Sequence, residues 1–209
     1  MNETIKILVV GVGNMGLSHA KAYQSIDGFE IAGLVGLNIH QKTDLPDDFA
    51  SLPRFTEYAE AFETCRPDAV SICSWTETHA EFSIKALKAG AHVFVEKPLA
   101  LTVEDAEEVV KVAKQTNRKL VVGYILNHHP SWIKLIEIGR QLGKPLVMRM
   151  NLNQQSSGDM WASHKNLMKG QSPIVDCGVH YVDIMCQLTR SRPKSVHAIG
   201  ARLSDEISL

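Results

Sequence analysis

Ile5-Lys6-Ile7-Leu8-Val9-Val10 runs directly into Gly11-Val12-Gly13-Asn14-Met15-Gly16. The first half is a short apolar run rich in β-branched residues and stopped by glycine, which reads as a buried strand. The second half has the spacing Gly-x-Gly-x-x-Gly and passes into helix formers over residues 17–23. That spacing alone is a weak signal. Between a strand and a helix it is a strong signal for a dinucleotide-binding turn. Gly11 permits the tight turn, Gly13 lets the backbone approach a pyrophosphate, and Gly16 lets helix and strand pack closely. The N–H groups and dipole at the helix start favour anionic phosphates. Asn14 and Met15 stand at the loop tip and are candidates for cofactor contact, with plain solvent exposure as the alternative.

Outward from this loop the chain alternates. Strands are expected over residues 30–35, 68–73, 92–95 and 119–123, and helices over 57–65, 78–89 and 102–116. Gly90 has the place of a helix stop, and Thr102, followed by Glu104 and Asp105, that of a helix start. Residues 38–53 are polar, hold two prolines and read as loop. Strands that are apolar throughout and separated by helices imply a parallel sheet covered on both faces. Past Tyr124 the pattern changes. A helix is expected over residues 130–142, ended by Gly143 with Pro145 beyond. A loosely alternating, Met- and Asn-rich stretch covers 146–153, a helix 179–188 and a strand 195–203. The expected organisation is an α/β domain over residues 1–123 followed by a smaller α+β domain over 124–209.

Composition excludes several classes. Of 209 residues, 44% are hydrophobic and 22% charged, with a net charge of −1. This is ordinary globular usage, with no basic patch for nucleic acid and no charge block. No stretch approaches the ~20 apolar residues of a membrane span, and the first residues lack the shape of a signal peptide. Cys65, Cys73, Cys177 and Cys186 show no Cys-x-x-Cys spacing, which fits reduced thiols in the cytoplasm. His128 and His129 are adjacent, a spacing that does not suit metal ligation, so no metal site is expected.

Dinucleotide turns of this kind expect Asp or Glu about twenty residues on, to bind the ribose hydroxyls. Gly36 occupies that place. Without the carboxylate a 2′-phosphate is not repelled, so the choice between NAD and NADP stays open. His40 and Lys42 are candidates to meet such a phosphate, or else solvated loop residues.

Two further motifs carry chemistry. Glu96-Lys97-Pro98 follows a buried strand and so lies at the carboxyl edge of the sheet, where ligands bind in open α/β folds. Pro98 biases Lys97 away from helix. A lysine there can hydrogen-bond a substrate hydroxyl and stabilise developing negative charge, and a surface ion pair is the alternative. Asp176-Cys177-Gly178-Val179-His180-Tyr181-Val182-Asp183 joins an imidazole to two carboxylates. Histidine both takes and gives a proton near neutrality. Asp183, three residues on, shares its helix face and is placed to orient it or to bind substrate. Asp176 near the helix start suits the dipole, either as a functional acid or as an N-cap. Asn153, Gln154, Gln155, Trp161, His164 and Lys165 have side chains that suit sugar faces and hydroxyls, and equally an ordinary surface loop.

Taken together and in this order, the glycine loop at 11–16, Glu96-Lys97-Pro98 and Asp176-x-Gly178-x-His180-x-x-Asp183 resemble the Gfo/Idh/MocA family of NAD(P)-dependent oxidoreductases. The resemblance implies a Rossmann domain and then an α+β domain with an open, mainly antiparallel sheet, through which the chain is expected to form a homo-oligomer. It implies oxidation or reduction of a secondary alcohol on a sugar, sugar derivative or cyclitol. Carried onto this chain, Lys97 matches the catalytic lysine, His180 the usual acid/base, and Asp176 the substrate-binding or lysine-coupled acid. Glu96 matches a residue that contacts the nicotinamide ribose, and the segment from Ser74 to His79 matches one flanking the adenosine side. Trp75 stands where the family usually has proline, and no arginine stands near Asn127. Family members are longer, so a shortened chain with an incomplete second domain is expected. A dinucleotide sensor, or a lyase or glycosidase working by transient oxidation, are the rival functions.

Overall fold

The computed structural model describes residues 4–43, 45–144, 146–153, 156–201 and 204–207. The chain divides into two compact units, Met1–Gly123 and Tyr124–Leu209.

The first unit alternates strand and helix. It runs β1 (Ile5–Val10), α1 (Asn14–Gln24), β2 (Phe29–Val35), β3 (Arg54–Phe55), α2 (Tyr58–Cys65), β4 (Ala69–Ile72), α3 (Thr76–Lys88), β5 (His92–Val95), α4 (Val103–Thr116) and β6 (Leu120–Val122). The six strands form one sheet in the order β3-β2-β1-β4-β5-β6, and every pairing is parallel. This is the doubly wound order, which reverses direction between β1 and β4 and leaves a crevice at their carboxyl ends. Successive residues of β1 serve opposite faces, as the strand pleat requires. Ile7 and Val9 pack with Ala20, Ile39 and Phe49. Leu8 and Val10 pack with Tyr58, Ala61, Ala86 and Val109 on the other side.

Local chemistry sets the helix ends. α3 stops in a Schellman arrangement: Gly90 has φ +92°, its N–H donates to Leu87 O, and the Ala91 N–H donates to Ala86 O. α4 starts on Thr102, whose hydroxyl oxygen accepts from the Asp105 N–H at 3.1 Å and donates to the Asp105 carboxylate at 2.8 Å.

The stretch read as loop, residues 38–53, contributes to the core. It makes two single 3₁₀ turns, Ile39–Gln41 and Asp47–Phe49, and buries Ile39 and Phe49 completely. It then supplies β3, which pairs Arg54 and Phe55 with Leu34 and Val35. Two apolar residues spaced ten apart in a polar segment have no periodicity, so neither helix nor strand was legible there.

The second unit contains a 3₁₀ turn (Ile125–His128), α5 (Pro130–Gly139), α6 (Gly158–Leu167), one π-helical turn (Ile174–Gly178) and α7 (Val179–Thr189). α5 starts on a proline, whose missing N–H costs nothing at that position. It stops three residues short of the expected end. Gly139 lies against Leu188 of α7, and a Cβ on Gly139 would come within 2.6 Å of Leu188 Cδ1. α6 was not expected from the sequence, being polar and without a strong apolar stripe. Among the described residues this unit forms no strand, neither over the loosely alternating stretch 146–153 nor over the described part of 195–203, where one was expected. Val147, Val196 and Ile199 there are 80% or more exposed. A strand needs a neighbouring strand to satisfy its N–H and C=O groups, and the only described sheet is the parallel one of the first unit. Gln154, Gln155, Pro145 and Leu203 lie outside the described residues.

Candidate functional site

The glycine loop is built by close approach. Gly11 has φ +92°, and a Cβ there would sit 2.4 Å from Cys73 O, so the turn after β1 lies directly on the end of β4. A Cβ on Gly16 would fall 1.7 Å from Gly11 O. Gly13 faces open space, with nothing within 4 Å of an added Cβ. The first turn of α1 carries no acidic residue and no side-chain cap. Its leading N–H groups are therefore available to an anion, as the pyrophosphate of a dinucleotide requires. Asn14 and Met15 are exposed at the loop tip. Gly36 is held by packing, since a Cβ there would meet Val12 Cγ2 at 2.6 Å. The position where dinucleotide turns expect a ribose-binding carboxylate is thus held by a glycine packed against Val12.

Across the crevice, Ser74 and Trp75 follow β4. Ser74 Oγ shares a 2.7 Å hydrogen bond with Thr78 Oγ1, and Trp75 is exposed. His79, one turn into α3, is 1% exposed and turned inward. Its Nδ1 lies 2.7 Å from Pro98 O and its Nε2 3.0 Å from Ser74 O. Both nitrogens face backbone carbonyls, which makes His79 a structural tie between the loops after β4 and β5.

Glu96, Lys97 and Pro98 stand at the carboxyl end of β5. Glu96 is buried, at 7% exposure. One carboxylate oxygen, Oε2, accepts from the Lys97 N–H at 3.2 Å, and the other, Oε1, lies 3.1 Å from His19 Nε2. Burial raises the Glu96 carboxyl, but the His19 contact and the Lys97 N–H outweigh it, and the net shift is downward. His19 is pushed up to about 9 by its neighbours Cys73 and Glu96, against the pull of burial. Its Nδ1 lies 3.3 Å from Ser71 Oγ, and its ring meets Phe94 edge-on. Gly123, just after β6, completes the pocket, since a Cβ there would come within 3.1 Å of the Glu96 carboxylate. Sequence reading missed His19 and Gly123. The available signal was His19 itself, a polar residue one turn beyond Gly16, near the helix face that buries Gly16 and Ala20.

In the second unit, Asp176 sits in the π-helical turn, half-buried, and its Oδ2 accepts from Cys177 Sγ at 3.3 Å. It does not cap α7, which has no side-chain cap. Gly178 has helical dihedrals, so its missing side chain matters for packing rather than backbone freedom: a Cβ would meet Ile174 Cδ1 at 2.5 Å. His180 and Asp183 occupy the first turns of α7. The His180 ring meets Tyr124 edge-on at 6.3 Å. Burial, and then the Asp183 charge, push the Tyr124 hydroxyl upward. Asp183 Oδ2 is buried with no hydrogen-bond partner among the described residues. Asn153 is exposed. Trp161 lies on α6, where its Nε1 donates to Glu206 Oε2 at 3.4 Å and Lys165 lies over its ring. No cluster of three His, Cys, Asp or Glu suited to a metal occurs among the described residues.

The sheet order and glycine cradle of the first unit define a dinucleotide-binding Rossmann domain. Residues 5–124 match the model of the oxidoreductase family with NAD-binding Rossmann fold, and residues 134–208 match the GFO/IDH/MocA C-terminal domain. The chain belongs to the GFO/IDH/MocA oxidoreductase family. It is 29% identical over 181 residues to an inositol 2-dehydrogenase of Paracoccus denitrificans, covering 85% of this chain and 50% of that protein. It is 28% identical over 202 residues to a UDP-N-acetylglucosamine 3-dehydrogenase of Acidithiobacillus ferrooxidans, covering 96% and 60%. The fold is similar to that of scyllo-inositol dehydrogenase from Lactobacillus casei, crystallised with NAD(H) and scyllo-inositol. The TM-score is 0.72 at 22% identity, over 89% of this chain and 56% of that one. The chain thus spans about half to three-fifths of the length of these relatives.

Proposed function

We propose that this chain is the core of an NAD(P)-dependent dehydrogenase acting on a secondary alcohol of a sugar, sugar derivative or cyclitol. The observation that carries the reading is the tethering of Lys97 at the carboxyl end of β5, on the sheet edge that also holds the glycine cradle. Relatives named as inositol and sugar-nucleotide dehydrogenases support the substrate class.

In this reading Gly11, Gly13, Asn14, Met15 and Gly16 hold the pyrophosphate, with Ser74 at the adenosine side and Glu96 beside the nicotinamide ribose. The dinucleotide, when bound, supplies the hydride acceptor or donor at its nicotinamide ring. Lys97 donates a hydrogen bond to the substrate oxygen and stabilises its developing negative charge. His180 takes the hydroxyl proton in oxidation and returns it in reduction. Asp176 binds substrate and is coupled to that proton movement, and Asp183 orients the His180 ring. Asn153 and Trp161 line the substrate side. Gly36 leaves the 2′ position of the ribose without a repelling carboxylate, so the choice between NAD and NADP stays open. The second unit belongs to an incomplete domain with an open, mainly antiparallel sheet, through which the protein forms a homo-oligomer. Four free cysteines fit a reducing cytoplasm, and no described helix is long and apolar enough to cross a membrane.

The test is reduction of NAD or NADP by a panel of cyclitols and sugars. Turnover that falls at least a hundredfold in Lys97→Ala and His180→Ala supports the dehydrogenase. Cofactor binding without turnover of any substrate points to the sensor. Substrate conversion with no net change in cofactor points to the lyase or glycosidase.

A further inference from the structure

Lys97 is flanked on both sides by residues that a histidine grips, His19 half-buried and His79 fully buried. On the N-terminal side, His19 reaches from α1 to Glu96 Oε1 at 3.1 Å, while Glu96 Oε2 accepts from the Lys97 N–H. On the C-terminal side, His79 reaches from α3 to Pro98 O at 2.7 Å and also to Ser74 O at 3.0 Å. α1 is the helix that opens on the glycine loop, and α3 is the helix that follows the loop after β4. Each histidine therefore ties the Lys97 segment to one wall of the crevice.

The hydrogen-bond inventory is consistent on the His19 side. Ser71 Oγ accepts from the Tyr23 hydroxyl at 3.3 Å and lies 3.3 Å from His19 Nδ1. A carboxylate carries no proton to give, so the 3.1 Å contact of His19 Nε2 with Glu96 Oε1 is that of an ion pair with the ring as the protonated partner. A doubly protonated ring then donates to Ser71 and carries the charge that pairs with Glu96, and the charge pair is shielded by Phe94 and by the close backbone of Gly123. On the other side both partners of His79 are carbonyls; the neutral ring serves one of them and the protonated ring both. Breaking either grip would leave a buried polar group without its facing partner and would loosen the backbone at Lys97.

We infer that His19 and His79 are positioning residues that clamp the backbone on either side of Lys97 and hold its ammonium group at the sheet edge. The functional part of this inference rests on the proposed role of Lys97; the clamp itself does not.

The groups facing His19 are Tyr23 on its own helix, Ser71 and Cys73 on β4 and the turn after it, and Phe94 and Glu96 on β5 and its end. The experiment follows backbone amide exchange at Lys97 and the titration of the His19 ring by NMR in the full chain. His19→Leu is expected to speed exchange at Lys97 at least tenfold, with Val109 and Val112 of α4 unchanged. His19→Gln, which keeps a neutral donor, is expected to recover exchange to within threefold. His79→Gln gives an intermediate rise. In Glu96→Gln the His19 ring is expected to titrate below the wild-type value of about 9, with the contribution of Cys73 remaining. That variant carries the comparison if His19→Leu does not fold. Unchanged Lys97 exchange in the histidine variants, a rise spread equally over α4, or a His19 ring indifferent to Glu96→Gln each overturns the clamp. Where wild-type turnover is found, kcat falls at least tenfold in His19→Leu with KM within threefold, and His19→Gln restores it. Loss confined to KM overturns the positioning role. Absence of wild-type turnover defeats the dehydrogenase reading, and the exchange pattern still decides the clamp.

Discussion

The two units of this chain use the same kinds of residue to different effect. In Met1–Gly123 every expected strand finds a parallel neighbour, and apolar side chains fill both faces of one sheet. In Tyr124–Leu209 the helices form, with Ile184 and Leu188 buried, while Val147, Val196 and Ile199 stay exposed. The difference follows from how each element is satisfied. A helix closes its own hydrogen bonds within a few residues, so a sequence that caps and patterns it is enough. A strand is completed only by another strand. The first unit supplies all six of its strands. The second supplies apolar stretches but, among its described residues, no pair of them.

The largest expected effect lies at the closest approach in the first unit. Gly16→Ala places a methyl group against Gly11 O and should cost roughly 3 kcal/mol or more, at the upper end for overpacking. Urea unfolding should show it, together with loss of dinucleotide binding. Unaltered stability would mean that the loop is not closed as described. Gly139→Ala makes the matching change in the second unit, against the flexible end of Leu188 rather than backbone. A destabilisation of about 1–3 kcal/mol, seen as faster proteolysis beyond Tyr124 with dinucleotide affinity kept, would show that the two packings are separable. Coupled loss of both would break the comparison.

Smaller effects sharpen it. Thr102→Ala removes the cap of α4 and should cost about 1 kcal/mol, measured by thermal unfolding. The His19–Glu96 pair makes the first unit sensitive to alkali. His19 is raised on folding, so its contribution is full below 6.5 and is lost as pH rises through about 9. Glu96 is lowered, so its contribution is present above its ordinary value near 4.5 and is lost as pH falls below that. Stability should therefore decline between pH 6.5 and 9 in the wild type, and His19→Gln should flatten that decline. Smallest of all, Val196→Asp at an exposed position should change monomer stability by no more than about 0.5 kcal/mol. If it instead dissociates an oligomer in sedimentation, the apolar stretches of the second unit are an interface.

These contrasts also explain what was legible beforehand. The parallel sheet and the glycine cradle followed from Ile5 to Gly16, because strand, turn and helix are encoded within neighbouring residues there. The stop at Gly90 and the start at Thr102 are local for the same reason. Phe49 and β3 were not legible, since one buried ring and a two-residue strand acquire meaning only from β2 and α1 beside them. The same holds for the clamp around Lys97. His19 lies more than seventy positions before Glu96, and only the fold brings them to 3.1 Å. Asp176, His180 and Asp183 were visible as a spacing, whereas the π-helical turn that holds Asp176, and Tyr124 beside His180, were not.

The central claim is that Gly11 to Gly16 form a working dinucleotide cradle at the sheet edge that presents Lys97. Calorimetric titration of the folded chain with NADH and NADPH tests it most directly. One site per chain is expected for at least one of the two nucleotides, with binding abolished in Gly13→Leu, whose side chain would fill the open space above the loop. A folded chain that binds neither nucleotide, or binds them equally well with Leu at position 13, would contradict the account.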